Sequence, residues 1–294
     1  VKELNITGPF NIQYIAKDSD VLCIECNLRA SRSFPFISKT MGVDFIEAAT
    51  KLMVGRDVSD MDLPVIGTRN RPAEYVGVKA PMFSYTRLGG ADPVLGVEMA
   101  STGEVACFGA NAHEAYLKAL LSTGFKIPQK QIALTIQKEF LEDVLHHVWL
   151  LHSHGYELLA TAETAPFLQA KGIPCKQAPY ASGSGHTIRD SIANGEVDLV
   201  VNIGTSPEAN ADNNYVSRRS AVDFNVPLMT NPQLFKMFSE ALDKNKRGEM
   251  WGLVSEWLTD ENLEVEIPDD DQMQADLCAS PYDRDSHDRR VLWK

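Results

Sequence analysis

The feature that constrains the fold most is a regular alternation of short apolar runs with helix-like segments between residues 131 and 242. Parallel strands need a long crossover connection, usually a helix, so this alternation is typical of a parallel sheet. We therefore predict a compact parallel α/β sandwich over residues 127–243. Its five strands are expected at residues 132–136, 156–160, 176–180, 197–201 and 226–229.

Small polar residues follow three of these strands directly. The carboxyl ends of parallel strands meet at one edge of the sheet, where ligands bind in open α/β proteins. No obvious pair of nucleophile and base is present, so this edge suits holding an anionic small molecule rather than transforming it. The alternative is that Thr164 and Thr187 only cap helices and that the loop 182–185 is only a turn. The candidate ligand-binding residues are Thr161, Thr164, Tyr180, Asn202 and Thr205.

The first part of the chain has a different pattern. Residues 10–17 and 21–27 are rich in β-branched and aromatic residues, and the polar stretch 17–20 between them suits a turn. We predict an antiparallel hairpin in which Gln13 lies opposite Glu25.

Alternation along the second strand of this hairpin predicts two different faces. Glu25 and Asn27 should share one face, with Gln13 beside them. The other face should carry apolar residues to a core, namely Leu22, Ile24 and Cys26. Cys23 and Cys26 would then lie on opposite faces, so we expect no redox or zinc role for them.

The polar face offers one carboxylate and two amides, and Arg29 and Arg32 follow it at once. Mg²⁺ prefers oxygen ligands and usually shares them with phosphates, while arginine offers a forked donor to phosphate or carboxylate. The pattern favours a hard cation bound to a phosphorylated substrate. The alternative is an ordinary solvated face, which is normal for an antiparallel sheet.

Three stretches of the first part, residues 13–39, 98–104 and 122–128, resemble the second ATP-grasp half of the carbamoyl phosphate synthetases. The resemblance implies ATP and Mg²⁺ or Mn²⁺ as cofactors. By that likeness Gln13, Glu25 and Asn27 would hold the metal ions that bridge the ATP phosphates, and Gln13 and Glu25 would contact the nucleotide site. Arg29 and Arg32 would face the carbamate and the phosphate that are joined, as catalytic residues.

The second part resembles the methylglyoxal-synthase-like regulatory domain of the same family. In the animal ammonia-dependent members this domain holds N-acetylglutamate. The matching positions here are Thr161, Thr164, Tyr180, Asn202, Thr205 and Asn214, of which Tyr180 and Thr205 depart from the family pattern. In bacterial members lysines hold the nucleotide phosphate. Near the corresponding places this chain has Leu141 and Pro179 instead. The resemblance therefore favours an N-acetylglutamate-like carboxylate over a nucleotide.

The expected domains are a C-terminal portion of an ATP-grasp domain (1–126), a methylglyoxal-synthase-like allosteric domain (127–243) and an acidic extension (244–294). The resemblance implies ATP-dependent phosphorylation of carbamate, with this chain inactive alone because it lacks the upstream lobe. The alternative is a non-catalytic regulatory module. The remainder of the synthetase chain is the expected partner, and the residues leave open whether a glutaminase subunit or domain also takes part.

Charge and composition exclude several other classes of protein. The net charge of −12 and the pI of about 5.1 argue against a nucleic-acid or anionic-membrane partner, since there is no basic stripe to neutralise phosphates. No apolar run approaches the length of a membrane span. Five cysteines with irregular spacing indicate a reducing compartment. With the resemblance, we expect the cytoplasm or the mitochondrial matrix.

Several local elements are also predicted. Asp44 and Asn111 should cap helices that end at Gly55 and Gly124. Residues 94–100 and 104–108 should form a hairpin.

Two groups of charged or titratable residues leave alternatives open. The histidines on or just past the helix at 139–154 are expected on a solvated helix face rather than in a metal site. Arg218 and Arg219 could reach an effector or could equally pin their helix to the sheet. The loop 204–207 has no aspartate, so independent methylglyoxal synthase activity is not expected. The four histidines are His146, His147, His152 and His154.

Overall fold

The computed structural model describes residues 3–57, 61, 75–96, 99–179, 185–204 and 211–250. The described residues belong to one compact unit that covers positions 1–251. The strands are β1 (Asn11–Lys17), β2 (Asp20–Asn27), β3 (Val76–Met82), β4 (Gly103–Gly109), β5 (Gln131–Ile136), β6 (Glu157–Thr161), β7 (Lys176–Ala178), β8 (Leu199–Ile203) and β9 (Leu228–Met229). The helices are α1 (Phe34–Met41), α2 (Phe45–Met53), α3 (Ala112–Ser122), α4 (Lys138–Ser153), α5 (Thr164–Ala170), α6 (Ile188–Ala193), α7 (Ala211–Asp223) and α8 (Pro232–Lys246). The domain boundaries expected near residues 126 and 243 stay predictions.

The five strands β5 to β9 form one sheet with the order β7-β6-β5-β8-β9, and all neighbouring pairs are parallel. This confirms the predicted α/β fold with a five-stranded parallel sheet. β5 and β8 are buried along almost their whole length, as expected for central strands with both faces covered. On one face Ile188 and Ile192 of α6 and Ala221 of α7 belong to the same core cluster as Ala133 and Val200.

Side chains at the predicted caps begin two helices of the first part. Asp44 accepts hydrogen bonds from two backbone amides at the start of α2, at 3.0 and 2.9 Å. Asn111 Oδ1 accepts one from the backbone N–H of Glu114 at 3.1 Å. Glu114 in turn accepts a bond from the N–H of Ala110, one residue before the cap, at 3.1 Å. Both capping predictions are confirmed.

The hairpin predicted between residues 94–100 and 104–108 is wrong. β4 pairs instead with β3, so that Val76 lies opposite Gly109. Gly109 also lets α3 lie against the end of β4, because a Cβ there would be 2.5 Å from the backbone nitrogen of Ala115. The pairing follows from the packing of α3 across both strands, which a local turn signal at residues 101–103 does not reveal.

β1 and β2 form the predicted antiparallel hairpin, with Gln13 opposite Glu25. After Gln13 the register shifts, so that Tyr14 lies opposite Cys23 and Ile24 has no partner across the ladder. An extra residue of this kind is a β-bulge, and it reverses the alternation of faces on the strand that contains it.

The bulge overturns two expectations about β2. Cys23 and Cys26 pair with Tyr14 and Ile12, which are two residues apart in β1, so the two cysteines share a face. The predicted core face is also wrong, because the side chains of Leu22 and Ile24 are 63% and 56% exposed and Cys26 is exposed too. β1 and β2 make a sheet of their own, and two strands alone cannot bury a face.

Helix α1 has no counterpart among the predicted elements. Pro35 lies in its first turn, where the missing amide hydrogen has no intrahelical acceptor to lose. The apolar residues around Pro35 also suit an extended strand, which is why the sequence pattern does not single out a helix. Gly42, with a φ of +68°, ends α1 in the left-handed conformation that glycine adopts most easily.

Two of the four histidines, His147 and His154, contact α8. His147 is only 8% exposed, and its Nδ1 lies 2.8 Å from Ser239 Oγ. Just past the end of α4, His154 Nε2 lies 2.8 Å from Asp243 Oδ1. The expectation of a solvated histidine face is therefore wrong for both residues.

The same helix α8 is joined to α3 through a third histidine. His113 Nε2 lies 3.0 Å from Glu240 Oε2, and this contact lowers the pKa of the Glu240 carboxyl. Burial lowers the pKa of the His147 imidazole, although Glu240 Oε1 at 3.9 Å opposes that shift. Since His147 has a lower pKa in the folded protein than in the unfolded chain, falling pH favours unfolding.

We expect His147→Asn to flatten the loss of stability on acidification. Asparagine keeps a hydrogen-bonding nitrogen near the position of Nδ1 but does not titrate. The free energy of unfolding, measured by urea denaturation at about pH 7 and about pH 5, should fall less in the variant than in the wild type, because the unfolded imidazole titrates near pH 6.5.

His186→Asn is the matched control, because its contact with Glu196 raises the pKa of His186. Removal of a group with a raised pKa should steepen the acid loss. An equal loss of stability in wild type and His147→Asn would show that His147 does not titrate as described.

Candidate functional sites

A row of polar side chains crosses three neighbouring strands at the predicted edge of the sheet. Thr135 on β5 lies opposite Asn202 on β8, and the β5–β6 register continues the row to Thr161 at the end of β6. Thr135 shares a strand face with Ala133, which packs in the core beneath α6 and α7. Thr161, Thr135 and Asn202 are 0%, 6% and 2% exposed, and we call them the edge row.

Thr164, at the start of α5, fastens two strand ends together. Its hydroxyl accepts hydrogen bonds from the backbone N–H of Ile136 and from the Thr161 hydroxyl, and it donates to the carbonyl oxygen of Ile136. Each of these three distances is 3.1 Å. A hydroxyl has one hydrogen and two lone pairs, so Thr164 has no hydrogen-bonding capacity left in this arrangement.

Asn202 is held from helix α7 by two residues. Its side-chain nitrogen donates to Asn214 Oδ1 at 3.3 Å, and its Oδ1 accepts from Arg218 Nη1 at 3.0 Å. Asn214 and Arg218 are themselves buried, 8% and 6% exposed. The structure therefore brings Asn202 and Asn214 together, as two neighbouring members of one site would require.

Arg218 also reaches out of the sheet region to the segment between β3 and β4. Its Nε and Nη2 form a bidentate pair with the carboxylate of Asp92, at 2.8 and 2.5 Å. Tyr215 donates its hydroxyl to the carbonyl oxygen of Gly90 at 2.8 Å. Arg219 Nη1 donates at 3.0–3.1 Å to three carbonyl oxygens, those of Tyr85, Leu88 and Ala91.

These contacts give the two arginines a structural role. Both pin α7 to the segment 85–92, and Arg218 also binds Asn202 of the sheet. Their alternative role, contact with an effector, stays a prediction. Arg218 touches both Asn202 and Asp92, so one guanidinium connects the edge row to the first part of the chain.

Gly204 shapes the end of β8 beside the edge row. A Cβ at this position would lie 2.8 Å from Cδ of Gln137, the N-cap residue of α4. The end of the Gln137 side chain therefore packs directly against the backbone of Gly204.

The second site is the polar face of the β1–β2 hairpin. Gln13 lies opposite Glu25, and Asn11 lies opposite Asn27. Asn27 Nδ2 donates to Glu25 Oε1 at 2.8 Å, which shows that the two side chains share a face and touch. Gln13 and Glu25 are exposed.

This hairpin cluster fits a hard cation by its chemistry. It offers one carboxylate and two amide oxygens on one face, and its bulge lies beside the ligands rather than between Glu25 and Asn27. Among the described residues, no group of three His, Cys, Asp or Glu side chains could hold a metal ion. A cation at the hairpin would therefore take further oxygens from a bound phosphate or from outside these residues.

The remaining candidate residues fall into two groups. Tyr180 and Thr205 lie outside the described residues. Arg29 and Arg32 lie in the connection between β2 and α1 with exposed side chains, and Arg29 makes a 3.4 Å hydrogen bond to the carbonyl oxygen of Ala30. Their predicted catalytic role stays a prediction.

Two residues of the edge region had no place among the candidates. Thr135 is the one polar residue within the apolar run 132–136, and that interruption was the available signal. Asp92 lies in a segment without periodicity, more than 100 residues from Arg218 in sequence, so its pairing could be found only from the folded chain.

Comparisons with known proteins agree in both parts of the chain. Residues 143–230 match the family model described as MGS-like domain. Residues 1–61 match the model described as carbamoyl-phosphate synthase L chain, ATP binding domain. Over the described residues, no helix combines the length and apolar character needed to cross a membrane.

Curated relatives match most of this chain but are far longer. The mitochondrial carbamoyl-phosphate synthase [ammonia] of Homo sapiens is 50% identical over 251 residues, which is 84% of this chain and 17% of that protein. The multifunctional protein pyrABCN of Emericella nidulans is 50% identical over 82% of this chain and 11% of its own length. A solved methylglyoxal synthase from Elizabethkingia anophelis NUHP1 covers 39% of this chain and 82% of its own, with 19% identity and a TM-score of 0.31.

We expect Arg218→Met to destabilise the protein by about 3 kcal/mol. The change leaves the half-buried carboxylate of Asp92 without its cation and Asn202 Oδ1 without its donor. Loss of one partner of a buried ion pair typically costs this much. The free energy of unfolding from urea denaturation measures the effect.

Arg247→Met is the matched control, because Arg247 is half exposed in its pairs with Asp243 and Glu249. It should cost less than about 1 kcal/mol. Adding Asp92→Asn to Arg218→Met should recover part of the lost free energy of unfolding, because the side chain at position 92 is then neutral. Equal losses for Arg218→Met and Arg247→Met would contradict the assignment of Arg218 as a buried connector.

Proposed function

The chain belongs to the carbamoyl-phosphate synthase family, and from this premise we propose that it serves two functions within a longer ATP-dependent synthase. The β1–β2 hairpin contributes metal ligands for the phosphorylation of carbamate, and the edge row binds a small anionic effector that controls this reaction. The chain spans 17% or less of the length of the curated relatives described above, so the remainder of the synthase is its principal partner.

The observation that carries the hairpin role is the contact between Asn27 and Glu25, on the same face as Gln13. Asn27 orients the Glu25 carboxylate, and Gln13 adds an amide oxygen from the facing strand. Mg²⁺ or Mn²⁺, when bound there with ATP, would offset the negative charge of the transferring phosphoryl group. Arg29 and Arg32 follow β2 directly and have exposed guanidinium groups, which suits contact with carbamate and phosphate oxygens.

The edge row supports a carboxylate effector better than a nucleotide. Its groups are neutral hydroxyls and amides, and the neighbouring Arg218 is already paired with Asp92. Leu141, near the position of a phosphate-binding lysine in bacterial members, is 2% exposed and apolar. A nucleotide phosphate would demand more positive charge than this edge offers, whereas an N-acetylglutamate-like molecule needs hydrogen-bond donors for one or two carboxylates and an acyl oxygen.

The contacts of Arg218 support a route by which the effector could act on catalysis. Asn202 belongs to the edge row, and the segment 85–92 lies between β3 and β4 in the first part of the chain. A ligand that competes for Asn202 would change the hydrogen bonds of Arg218 and, through Asp92, the position of that segment. Such coupling requires only that the ligand has different contacts in two arrangements of the row.

The nitrogen donor and the compartment belong to the same proposal. Free ammonia, or a glutaminase subunit or domain, supplies the nitrogen. The synthase works in the cytoplasm or in the mitochondrial matrix, where the exposed cysteines Cys23 and Cys26 would stay reduced.

We expect Glu25→Gln in the complete synthase to lower kcat for carbamate phosphorylation by about 10³-fold or more. The reason is that electrostatic stabilisation of the transferring phosphoryl group supplies much of the catalysis. Glu47→Gln is the control, because Glu47 forms an ion pair with Lys51 on the surface of α2. Carbamoyl phosphate formation from ATP, bicarbonate and the nitrogen donor measures both. Residues 1–294 alone should show no turnover. Turnover by the isolated chain would contradict its need for the remainder of the synthase, and normal activity of Glu25→Gln would overturn the hairpin role.

A purely regulatory module is the second candidate, favoured by the buried and well-connected edge row. Calorimetry on residues 1–294 with N-acetyl-L-glutamate, UMP, IMP and ornithine separates the effectors. We expect binding of N-acetyl-L-glutamate and weaker binding after Thr161→Val. In the complete synthase, Thr161→Val should alter activation while Glu25→Gln abolishes phosphorylation. If Glu25→Gln leaves catalysis intact and Thr161→Val removes control, the chain is a regulatory module alone.

A further inference from the structure

Helix α8 packs against both α3 of the first part of the chain and α4 of the second part, and one carboxylate of α8 faces a histidine from each. Glu240 Oε2 lies 3.0 Å from His113 Nε2 on α3, and Glu240 Oε1 lies 3.9 Å from His147 Nδ1 on α4. The first distance is that of a hydrogen bond and the second is too long for one. Glu240 therefore fastens α8 to α3, while its other oxygen lies within reach of α4.

The contact of His113 with Lys244 fixes the position of the ring hydrogen. Lys244 Nζ lies 3.1 Å from His113 Nδ1, and an ammonium group can only donate, so Nδ1 accepts and the hydrogen is on Nε2. Nε2 then donates to the Glu240 carboxylate. This hydrogen bond holds the pKa of the Glu240 carboxyl below its ordinary value, so Glu240 stays ionised in mild acid.

The hydrogen on His147 is fixed in the same way. Ser239 Oγ gives its one hydrogen to the carbonyl oxygen of Lys236 at 2.9 Å, so it accepts from His147 Nδ1 at 2.8 Å. Burial lowers the pKa of His147, so the neutral ring prevails above about pH 6.5. A proton added in acid makes His147 a charged donor, and the carboxylate of Glu240 is then a stronger acceptor than the hydroxyl of Ser239.

The remaining charges around this pair leave Glu240 as the counter-ion of a protonated His147. Lys236 is paired with Asp143, so their opposite effects on His147 offset each other. The Glu240 side chain is 44% exposed, so it can rotate without opening the core. The titratable or charged groups that face Glu240 and His147 are His113 of α3, Asp143 and His146 of α4, and Lys236 and Lys244 of α8.

We propose that Glu240 is a proton-controlled switch between the two parts of the chain: when His147 takes up a proton, Glu240 moves from His113 to His147. Helix α8 then binds α4 more tightly and α3 less tightly. Acid therefore loosens the contact between the first part of the chain and the parallel sheet. This switch needs no bound effector and is separate from the edge row.

The test follows His147 in residues 1–294 by NMR at about pH 6, where the chemical shifts of the ring report the ratio of protonated to neutral imidazole. Glu240→Gln should lower this ratio about 3-fold, the effect of losing one half-exposed ion pair. His113→Asn should raise it, because Glu240 is then released to His147. His113→Gln is the matched control: its amide nitrogen keeps a donor near the position of Nε2, so the ratio should not change.

A second measurement follows α3 itself. At about pH 5.5, amide hydrogen exchange in α3 should be faster in the wild type than in His147→Asn, with no such difference in β5.

Three results would overturn the proposal. An unchanged ratio in Glu240→Gln would show that Glu240 is not the counter-ion of His147. An unchanged or lower ratio in His113→Asn would show that the two histidines do not compete for one carboxylate. Equal exchange of α3 in the two proteins would show that α3 is not released, and a difference of the same size in β5 would show that protonation weakens the whole fold.

Discussion

The parallel register of β6, β5 and β8 is the constraint on which the described sites depend most. Because the three strands are parallel and paired in register, Thr161, Thr135 and Asn202 lie on adjacent strands at one edge of the sheet. The same register leaves the end of β5 and the start of α5 close together, where Thr164 can bind both the backbone N–H and the carbonyl oxygen of Ile136. An antiparallel sheet of the same composition would scatter these side chains over two edges.

The buried guanidinium of Arg218 connects this edge of the sheet to the segment between β3 and β4. A guanidinium is costly to bury unless its donors are satisfied, and Arg218 obtains its partners from two sources, Asp92 and Asn202. Neither partner alone accounts for the position of the side chain. The position of Asp92 and the orientation of Asn202 are therefore linked through one group, whereas the half-exposed Arg247 pairs with residues close to it in sequence, Asp243 and Glu249.

Much of the fold follows from the sequence, and the misses have physical causes. The alternation from residue 131 predicts all five parallel strands, and the polar stretch at residues 17–20 predicts the hairpin. Gln13 lies opposite Glu25 only because the bulge at Ile24 shifts the register by one residue. The bulge has no periodic signature, so strand alternation predicts the wrong face for Cys23. The pairing of β3 with β4 is non-local. Burial of His147 depends on α8, which spacing does not encode.

The two sites differ in how their hydrogen bonds are organised, and this difference suits two different tasks. On the hairpin, Glu25 is exposed and Asn27 partly exposed, so a ligand could bind them without breaking a buried hydrogen-bond network. At the edge row, nearly every group is already paired in the free protein. A ligand that displaces the hydrogen bond between Asn202 Oδ1 and Arg218 would also change the surroundings of Arg218. A molecule bound by such a network alters its surroundings in the act of binding, which is the physical requirement for an effector.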